Sequence, residues 1–438
     1  MRLRPTTRRC LSVCLSTTLA LALAACGGGT SEKSDGTFTI LQYEDQTSAQ
    51  AEGWQKAVAI FKKRHPGVKV KFQTTSFDAM RQNAKITLSG NNVPDVVEFN
   101  KGNADGGQLA GQGLLQPLTD EAKARGWDKK VTGPMAAFAQ YDQNGLAGSG
   151  DWYGVPNVGE YVTFYYNKKM FTDAGITKPP TTLAQLEADM DKLKAAGHVP
   201  ISSSANTSQG FNQMWLWYSL VSASASRQQI DDFMFLKGDV NFRSGPWKEG
   251  TQKFQDWIDK GYVGDKLGGL SYEQAIVNFL GGDDAMLMWN QSQFSRIRKD
   301  ANFPWGYFTL PGAQQVMGSS GHLWGVPTKS NDKDLAYDWI DITLSAEVQN
   351  DIGNQGGLPL AGDASAIKDK LTRQYTEQFD DLVKRKAMSF YPDYPVPGFL
   401  DFMQNHMQAM SNKSETADEY LKALQKFYDD GKKNATQQ

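Results

Sequence analysis

Apolar positions along this chain switch between two periods. FTILQYED (38–45) reads as a strand opening into a polar loop. In WQKAVAIFKKRHPG, Trp54, Ala57, Val58 and Phe61 share one helical face, and Pro66-Gly67 stop the helix. VKVKFQTT (68–75) alternates Val68, Val70 and Phe72 with strand period, a further helical segment runs to about Ser89, and PDVVEFN (94–100) is a short apolar strand with a polar end. This βαβαβ rhythm predicts an open, largely parallel sheet with helices on its faces. In such sheets ligands lie beyond the carboxyl ends of the strands. Those ends are Tyr43-Glu44-Asp45 and Phe99-Asn100.

A second α/β unit follows. WYGVPNVGEYVTFYYNKKMF (152–171) predicts a turn, an alternating strand and a helix. In PPTTLAQLEADMDKLKAAGHVP, Thr182 and Gln185 have capping-box spacing, Leu183, Leu186, Met190 and Leu193 share a face, and Gly197 is the stop. GFNQMWLWYSLV, KEGTQKFQDWIDKG and SYEQAIVNFLGG predict helices; DAMLMWNQ (284–291) and HLWGVPTK (322–329) predict strands. LAYDWIDITLS and ADEYLKALQKFYDD predict a helical C-terminal part.

The N-terminus has a different logic. Arg2, Arg4, Arg8 and Arg9 precede a largely apolar run that ends in LALAACGGGT (21–30), the layout of a secretory signal. The run is too short and too rich in Ser and Thr to span a bilayer, which needs about 20 apolar residues. Cys10, Cys14 and Cys26 are the chain's 3 cysteines, so cleavage before Cys26 would leave one thiol and no internal disulfide. Leu23-Ala24-Ala25-Cys26 resembles the bacterial lipobox, which implies acylation of Cys26; the glycines and TSEKSDG behind it suit a flexible tether. Residues 1–25 are thus expected as signal peptide and 26–35 as lipidated tether.

Charge and composition narrow the remainder. Removing four arginines from 46 basic residues leaves 42 against 48 acidic ones, which argues against a nucleic-acid or anionic-membrane surface. The 4 histidines are far apart in sequence and no thiol pair remains, so no metal site and no cofactor are expected. GxSxG, HExxH and P-loop patterns are absent. Aromatics are plentiful, at 11 Trp, 16 Tyr and 22 Phe.

Several stretches together resemble the family 1 extracellular solute-binding proteins of ABC importers, the group that includes maltose-type sugar binders. They are PDVVEF with GQGLLQPLTD, YGVPNVGEYVTFYYNKKMFTDAGITKPPTTLAQLEADMDKL, FLGGDDAMLMWNQSQ, GHLWGVPTKSNDKDLAYDWIDITLSAEVQN and GGLPL, in the family's order. The resemblance implies an α/β, two-lobed, type II periplasmic-binding-protein-like fold with a ligand cleft between lobes joined by crossing strands. It implies crossings near Pro156 to Glu160, Trp289 to Gln291 and His322 to Val326. Lobe 1 is then 36–158 with 291–322, and lobe 2 is 159–290 with 323–438. The expected partners are a sugar or oligosaccharide, ABC permease subunits with their ATPase, and the membrane through the N-terminal lipid alone; a monomer is expected, at the outer face of the cytoplasmic membrane.

A pyranose offers apolar C–H faces and a rim of hydroxyls, so its site calls for flat aromatics, carboxylates and amides. The candidates are Tyr43, Glu44, Asp45, Asn100 and Asn103 at the lobe 1 strand ends, and Asn157, Glu160 and Tyr161 at the first crossing. Glu160 matches a position that contacts ligand in maltose-type members. Phe211, Asn212 and Trp215 start a helix; Trp289 and Asn290 end a strand; His322 precedes another; and Tyr391, with Tyr394, lies in SFYPDYPVPGF. Trp217 and Trp324 each continue an apolar pattern and are expected in the core. The family often has a small or amide residue near position 289, so Trp289 is a departure. Two alternatives stay open: the same fold binding a polyamine or other small solute, and a surface glycoside hydrolase, whose two carboxylates would stand about 5 to 9.5 Å apart.

Overall fold

The computed structural model describes residues 36–206, 210–264 and 267–437. The expected signal, the tether up to residue 35 and the lipidation site Cys26 lie outside the described residues. From Thr37 onward the chain is one compact unit. No helix among the described residues is long and apolar enough to cross a membrane.

The strands are β1 (Thr37–Gln42), β2 (Lys69–Thr74), β3 (Val96–Phe99), β4 (Gln140–Tyr141), β5 (Asp151–Trp152), β6 (Val155–Pro156), β7 (Gly159–Asn167), β8 (Val199–Ser202), β9 (Asp284–Asn290), β10 (Trp305–Phe308), β11 (Gly318–Ser320) and β12 (Leu323–Gly325). One sheet has the order β2-β1-β3-β12-β6, and the other has β10-β7-β9-β8 with β11 also on β7. β1 is parallel to both neighbours, with Ile40 level with Phe72 and Val96. Each sheet forms the centre of one lobe of an α/β fold.

Local sequence explains most elements. The helix Ala49–Arg64 starts where the Ser48 hydroxyl accepts the Ala51 N–H, and it buries Trp54, Ala57, Val58 and Phe61, the expected face. Trp54 and Trp339 each meet Trp324 edge-on, at 5.5 and 5.3 Å between ring centroids, so Trp324 belongs to the core. Trp217 is also core, its indole N–H donating to Thr251 Oγ1 at 2.8 Å. The expected capping box at Thr182 is half made: Thr182 accepts the Gln185 N–H, but the Gln185 side chain turns to Thr181. β7 departs from its alternating pattern. All nine of its residues are buried, because it is the strand onto which β9, β10 and β11 all pair.

The expected distribution of the later chain between lobes needs correction. No crossing occurs near Trp289 to Gln291. After β9 the chain turns through the helix Phe294–Asp300 into β10, which pairs antiparallel with β7, and β11 then pairs with the start of β7. Residues 305–320 therefore complete the lobe 2 sheet instead of joining lobe 1. β12 inserts between β3 and β6 in lobe 1, and the helices Lys333–Thr343 and Ala346–Gln355 pack on the lobe 1 helix Ala49–Arg64. Only the later helices return: Lys370–Lys384 packs on β7, Phe399–Ser411 on Phe211–Ser222, and Ala417–Thr436 on Gly245–Asp259. The physical reason is edge closure. Without β10 and β11, most of one side of β7 would carry unpaired backbone N–H and C=O groups in a buried strand.

The first crossing is tight. β6 ends at Pro156 in one sheet and β7 starts at Gly159 in the other. Any Cβ at Gly159 would fall inside the ring of Phe379. Gly159→Ala should therefore destabilise the protein by about 1–3 kcal/mol through overpacking. A thermal melt at unchanged midpoint would contradict that packing.

Candidate functional site

A cavity of about 510 Å³ lies between the two sheets. One wall comes from lobe 1: Tyr43, Glu44 and Asp45 directly follow β1, Thr74 ends β2 and Thr75 follows it, Asn100 follows β3, and Phe77 and Asp78 open the helix Phe77–Ser89. These are carboxyl ends of parallel strands, where backbone pairing stops and side chains turn to the crevice. The other wall comes from lobe 2: Phe211, Met214 and Trp215 on one helix, Tyr272 at the start of another, and Trp289 and Asn290 at the end of β9. Glu160, His322, Tyr391, Asp393 and Tyr394 complete the lining.

Beneath the lobe 1 wall lies a buried polar knot. Glu98 in β3 is fully buried; its carboxylate accepts the Tyr43 N–H at 3.2 Å and the Asn157 amide at 2.6 Å. It thereby ties the end of β1 to the first crossing. Burial, with the charge of Glu44 adding to it, holds the Glu98 carboxyl well above the usual carboxylate range. Next to it, His322 Nδ1 meets Glu44 Oε1 at 2.9 Å, and His322 Nε2 lies 3.9 Å from Glu160. Lys101, fully buried, faces Glu160 at 3.8 Å and the ring of Tyr394 at 5.6 Å, and burial pulls its ammonium below the ordinary lysine range against the pull of Glu160. Glu44, Glu98 and His322 bring potential ligand atoms within 4.8 Å of one another. Both oxygens of Glu98 are already engaged by Tyr43 and Asn157, and Glu44 Oε1 by His322 Nδ1, which fits a structural network better than a cation site.

The lobe 2 wall is aromatic. Trp289 sits 4.9 Å from Trp215 and 5.6 Å from Tyr272, and Trp215 sits 5.4 Å from Tyr391. The Trp289 indole N–H donates to Ser292 Oγ at 3.1 Å, fixing the ring. Phe77 of lobe 1 meets Phe211 of lobe 2 edge-on at 6.0 Å, so the walls touch at the rim. Tyr391 is aimed by its neighbour. Phe390 holds a left-handed backbone, φ 61°, with its ring packed on Phe138 and Phe235.

Eleven of the expected site residues line the cavity: Tyr43, Glu44, Asp45, Asn100, Glu160, Phe211, Trp215, Trp289, Asn290, His322 and Tyr391. Four are placed elsewhere, each spent on structure. Asn103 bonds the Pro395 carbonyl and the Ala147 N–H; Asn157 bonds Glu98; Asn212 bonds the Met288 carbonyl and Ser204; and Tyr161 reaches Tyr375 and Gln378 in the lobe 2 core. Sequence reasoning missed Gln50, Thr74 to Asp78, Tyr272, Gln293 and Asp393. Thr74 ends a strand and Thr75 follows it, so strand-end logic could have found them, and Tyr272 directly follows the N-cap Ser271 that opens its helix. Gln50 and Asp393 carry no such signal.

Asp393 is buried at the cavity edge. Its carboxyl is pushed up to about 6 by burial, with Asp105 adding to the shift and Arg81 and Lys101 opposing it. The fold thus favours the protonated form, and stability falls as pH rises from about 4 to about 6. Asp393→Asn should remove a penalty of about 3 kcal/mol at neutral pH and flatten the melting midpoint across that window. Melts of both forms at several pH values test this; parallel curves would refute it.

Comparison with known proteins places this geometry. A family model described as bacterial extracellular solute-binding protein matches residues 45–350. The multiple sugar-binding protein of Streptococcus mutans is 22% identical over 353 residues, 78% of this chain and 80% of that protein. The diacetylchitobiose binding protein of Streptomyces coelicolor is 23% identical over 359 residues, 78% of this chain and 79% of that protein. A solved chitin oligosaccharide binding protein superposes with a TM-score of 0.77 at 23% identity, covering 90% of this chain and 98% of that one, a likeness of fold. With the model matching well over half its length, and a cleft between two sheets where such a fold carries its ligand, the chain belongs to the bacterial extracellular solute-binding protein family.

Proposed function

We propose that this protein is the lipid-anchored binding component of an ABC importer, that it captures a sugar or oligosaccharide in the cleft, and that it passes this cargo unaltered to a membrane permease. The observation that carries this reading is the division of the cleft. Trp215, Trp289 and Tyr272 offer flat faces on one side, while Glu44, Asn100 and Thr75 offer directional polar groups on the other. That pairing matches a saccharide ring, whose faces are apolar and whose rim is hydroxyl. The sugar-binding names of similar proteins support the same class of cargo. Residues 1–25 act as signal peptide and Cys26 takes the lipid, which holds the protein at the outer face of the cytoplasmic membrane as a monomer.

Because the lobes are joined by short crossings, closure around cargo is the natural switch. A ligand drives it only through contacts made better in the closed state. Glu44 is hydrogen-bonded to His322 Nδ1 at 2.9 Å and Glu160 lies 3.9 Å from Nε2, so both carboxyl groups are held at the cleft wall.

Trp289→Ala should weaken saccharide binding at least tenfold, about 1.4 kcal/mol. Calorimetry on a folded variant with undiminished affinity would remove Trp289 from the site. A thermal-shift screen against mono- and oligosaccharides identifies the cargo, since a ligand at 100 times its Kd adds about 2.7 kcal/mol. Sugar recovered chemically unchanged after prolonged incubation is the expected result; released hydrolysis products would favour a hydrolase. Cys26→Ser should abolish palmitate labelling and release the protein from membranes.

A further inference from the structure

Trp289 lines the cleft, and the residues behind it decide how its ring can lie. Its indole N–H donates to Ser292 Oγ at 3.1 Å. Ser292 Oγ donates in turn to Asn290 Oδ1 at 2.7 Å, and the Ser292 backbone N–H reaches the same oxygen at 3.1 Å. On its other side the Asn290 amide nitrogen lies 3.4 Å from the Tyr391 hydroxyl. The Asn290 backbone carbonyl accepts from the buried Tyr165 hydroxyl at 3.0 Å, which ties this chain of bonds to the lobe 2 core.

The direction of these bonds is fixed. A backbone N–H can only donate, so the part of the Asn290 amide that meets Ser292 must be its oxygen, and its NH2 must face Tyr391. An indole N–H can also only donate, so Ser292 Oγ must accept from Trp289 and give its own hydrogen to Asn290. Each member is therefore held in one orientation. Turning the Trp289 ring over, or flipping the Asn290 amide, would leave a donor facing no acceptor. Trp289 and Asn290 are only 6% and 8% exposed, so water would not make good that loss.

Helix capping does not account for the arrangement. Asn290 is the N-cap of the single turn Gln291–Gln293, but a cap uses only the bond from the Ser292 N–H. The Ser292 hydroxyl and the Trp289 indole add two bonds that serve no backbone group. What they serve is a ring packed on Trp215 and Tyr272 in the cleft wall.

Resting on the reading of this cleft as a saccharide site, we propose that Ser292 and Asn290 are positioning residues for cargo binding: Ser292 sets the tilt of the Trp289 ring at the cleft wall, and Asn290 holds Ser292 in the one orientation that can do so. The oxygen of Asn290, which would otherwise suit a sugar hydroxyl, acts through Ser292 and Trp289 instead.

The test is calorimetry on the chain from residue 27 onward, which keeps the whole compact unit, with glucose, maltose, cellobiose and N,N'-diacetylchitobiose as probes. For a probe that binds, Ser292→Ala should weaken affinity about fivefold, the size of one net hydrogen bond, in a variant whose melt confirms folding. Ser292→Thr, which keeps the hydroxyl, should recover most of that loss. In a Trp289→Ala background, with no ring left to orient, Ser292→Ala should weaken binding no further, whereas a merely structural role would lower affinity equally in both backgrounds. In the unliganded protein the Trp289 indole proton, assigned by its absence from Trp289→Ala, should exchange with water about tenfold faster in Ser292→Ala. Unchanged affinity in Ser292→Ala, or an equal loss in both backgrounds, overturns the positioning role and leaves the saccharide reading intact. Binding of none of the probes by the unsubstituted protein overturns both.

Discussion

The carboxyl group of Glu98 is the point on which the site depends. It lies in the middle of an apolar strand, fully buried, and both of its oxygens accept hydrogen bonds, from the Tyr43 backbone and from the Asn157 side chain. A polar group buried without partners costs free energy, so its partners are drawn to it. The consequence is positional. The loop that carries Tyr43, Glu44 and Asp45 is pinned to the neighbouring strand and to the first crossing, and His322, bonded to Glu44, is pinned with it. The lobe 1 helix Ala346–Gln355 adds a further tie, because Gln349 donates to the Asn157 carbonyl.

From that knot the cleft divides its chemistry between lobes. Lobe 1 supplies hydrogen-bonding groups because parallel strands end there and their last side chains have no further pairing to serve. Lobe 2 supplies ring faces because a helix and a strand end converge, with Trp215 and Trp289 packed on each other and on Tyr272 and Tyr391. Neither half alone encloses a ligand. A ligand between the walls therefore has to contact both lobes, and the short crossings set how those lobes are joined.

The Tyr391 and Tyr394 segment shows how rigidity is obtained from a loop. Phe390 is held in a backbone conformation unfavourable for a phenylalanine, and its ring is locked against Phe138 of lobe 1 and Phe235 of lobe 2. Gly102 lies against Tyr394 so closely that any side chain there would collide with it, and the glycine also takes a positive φ of 85°. Loop residues thus reach the cleft in fixed positions without belonging to either sheet.

The sequence by itself determined the local elements and the class of the protein. Helix faces such as Trp54 to Phe61, strand ends such as Tyr43 and Trp289, and the ordered family stretches all depend on neighbours within a few residues, and short-range periodicity encodes those. Only the tertiary structure decided the rest. Asn103, Asn157, Tyr161 and Asn212 have the chemistry of sugar contacts and are near the cleft in sequence, yet each is consumed by a buried partner dozens to hundreds of positions away. Which lobe β10 and β12 complete was likewise hidden, because a strand's partner is chosen by the open edge it satisfies, and that edge exists only once the other strands have assembled.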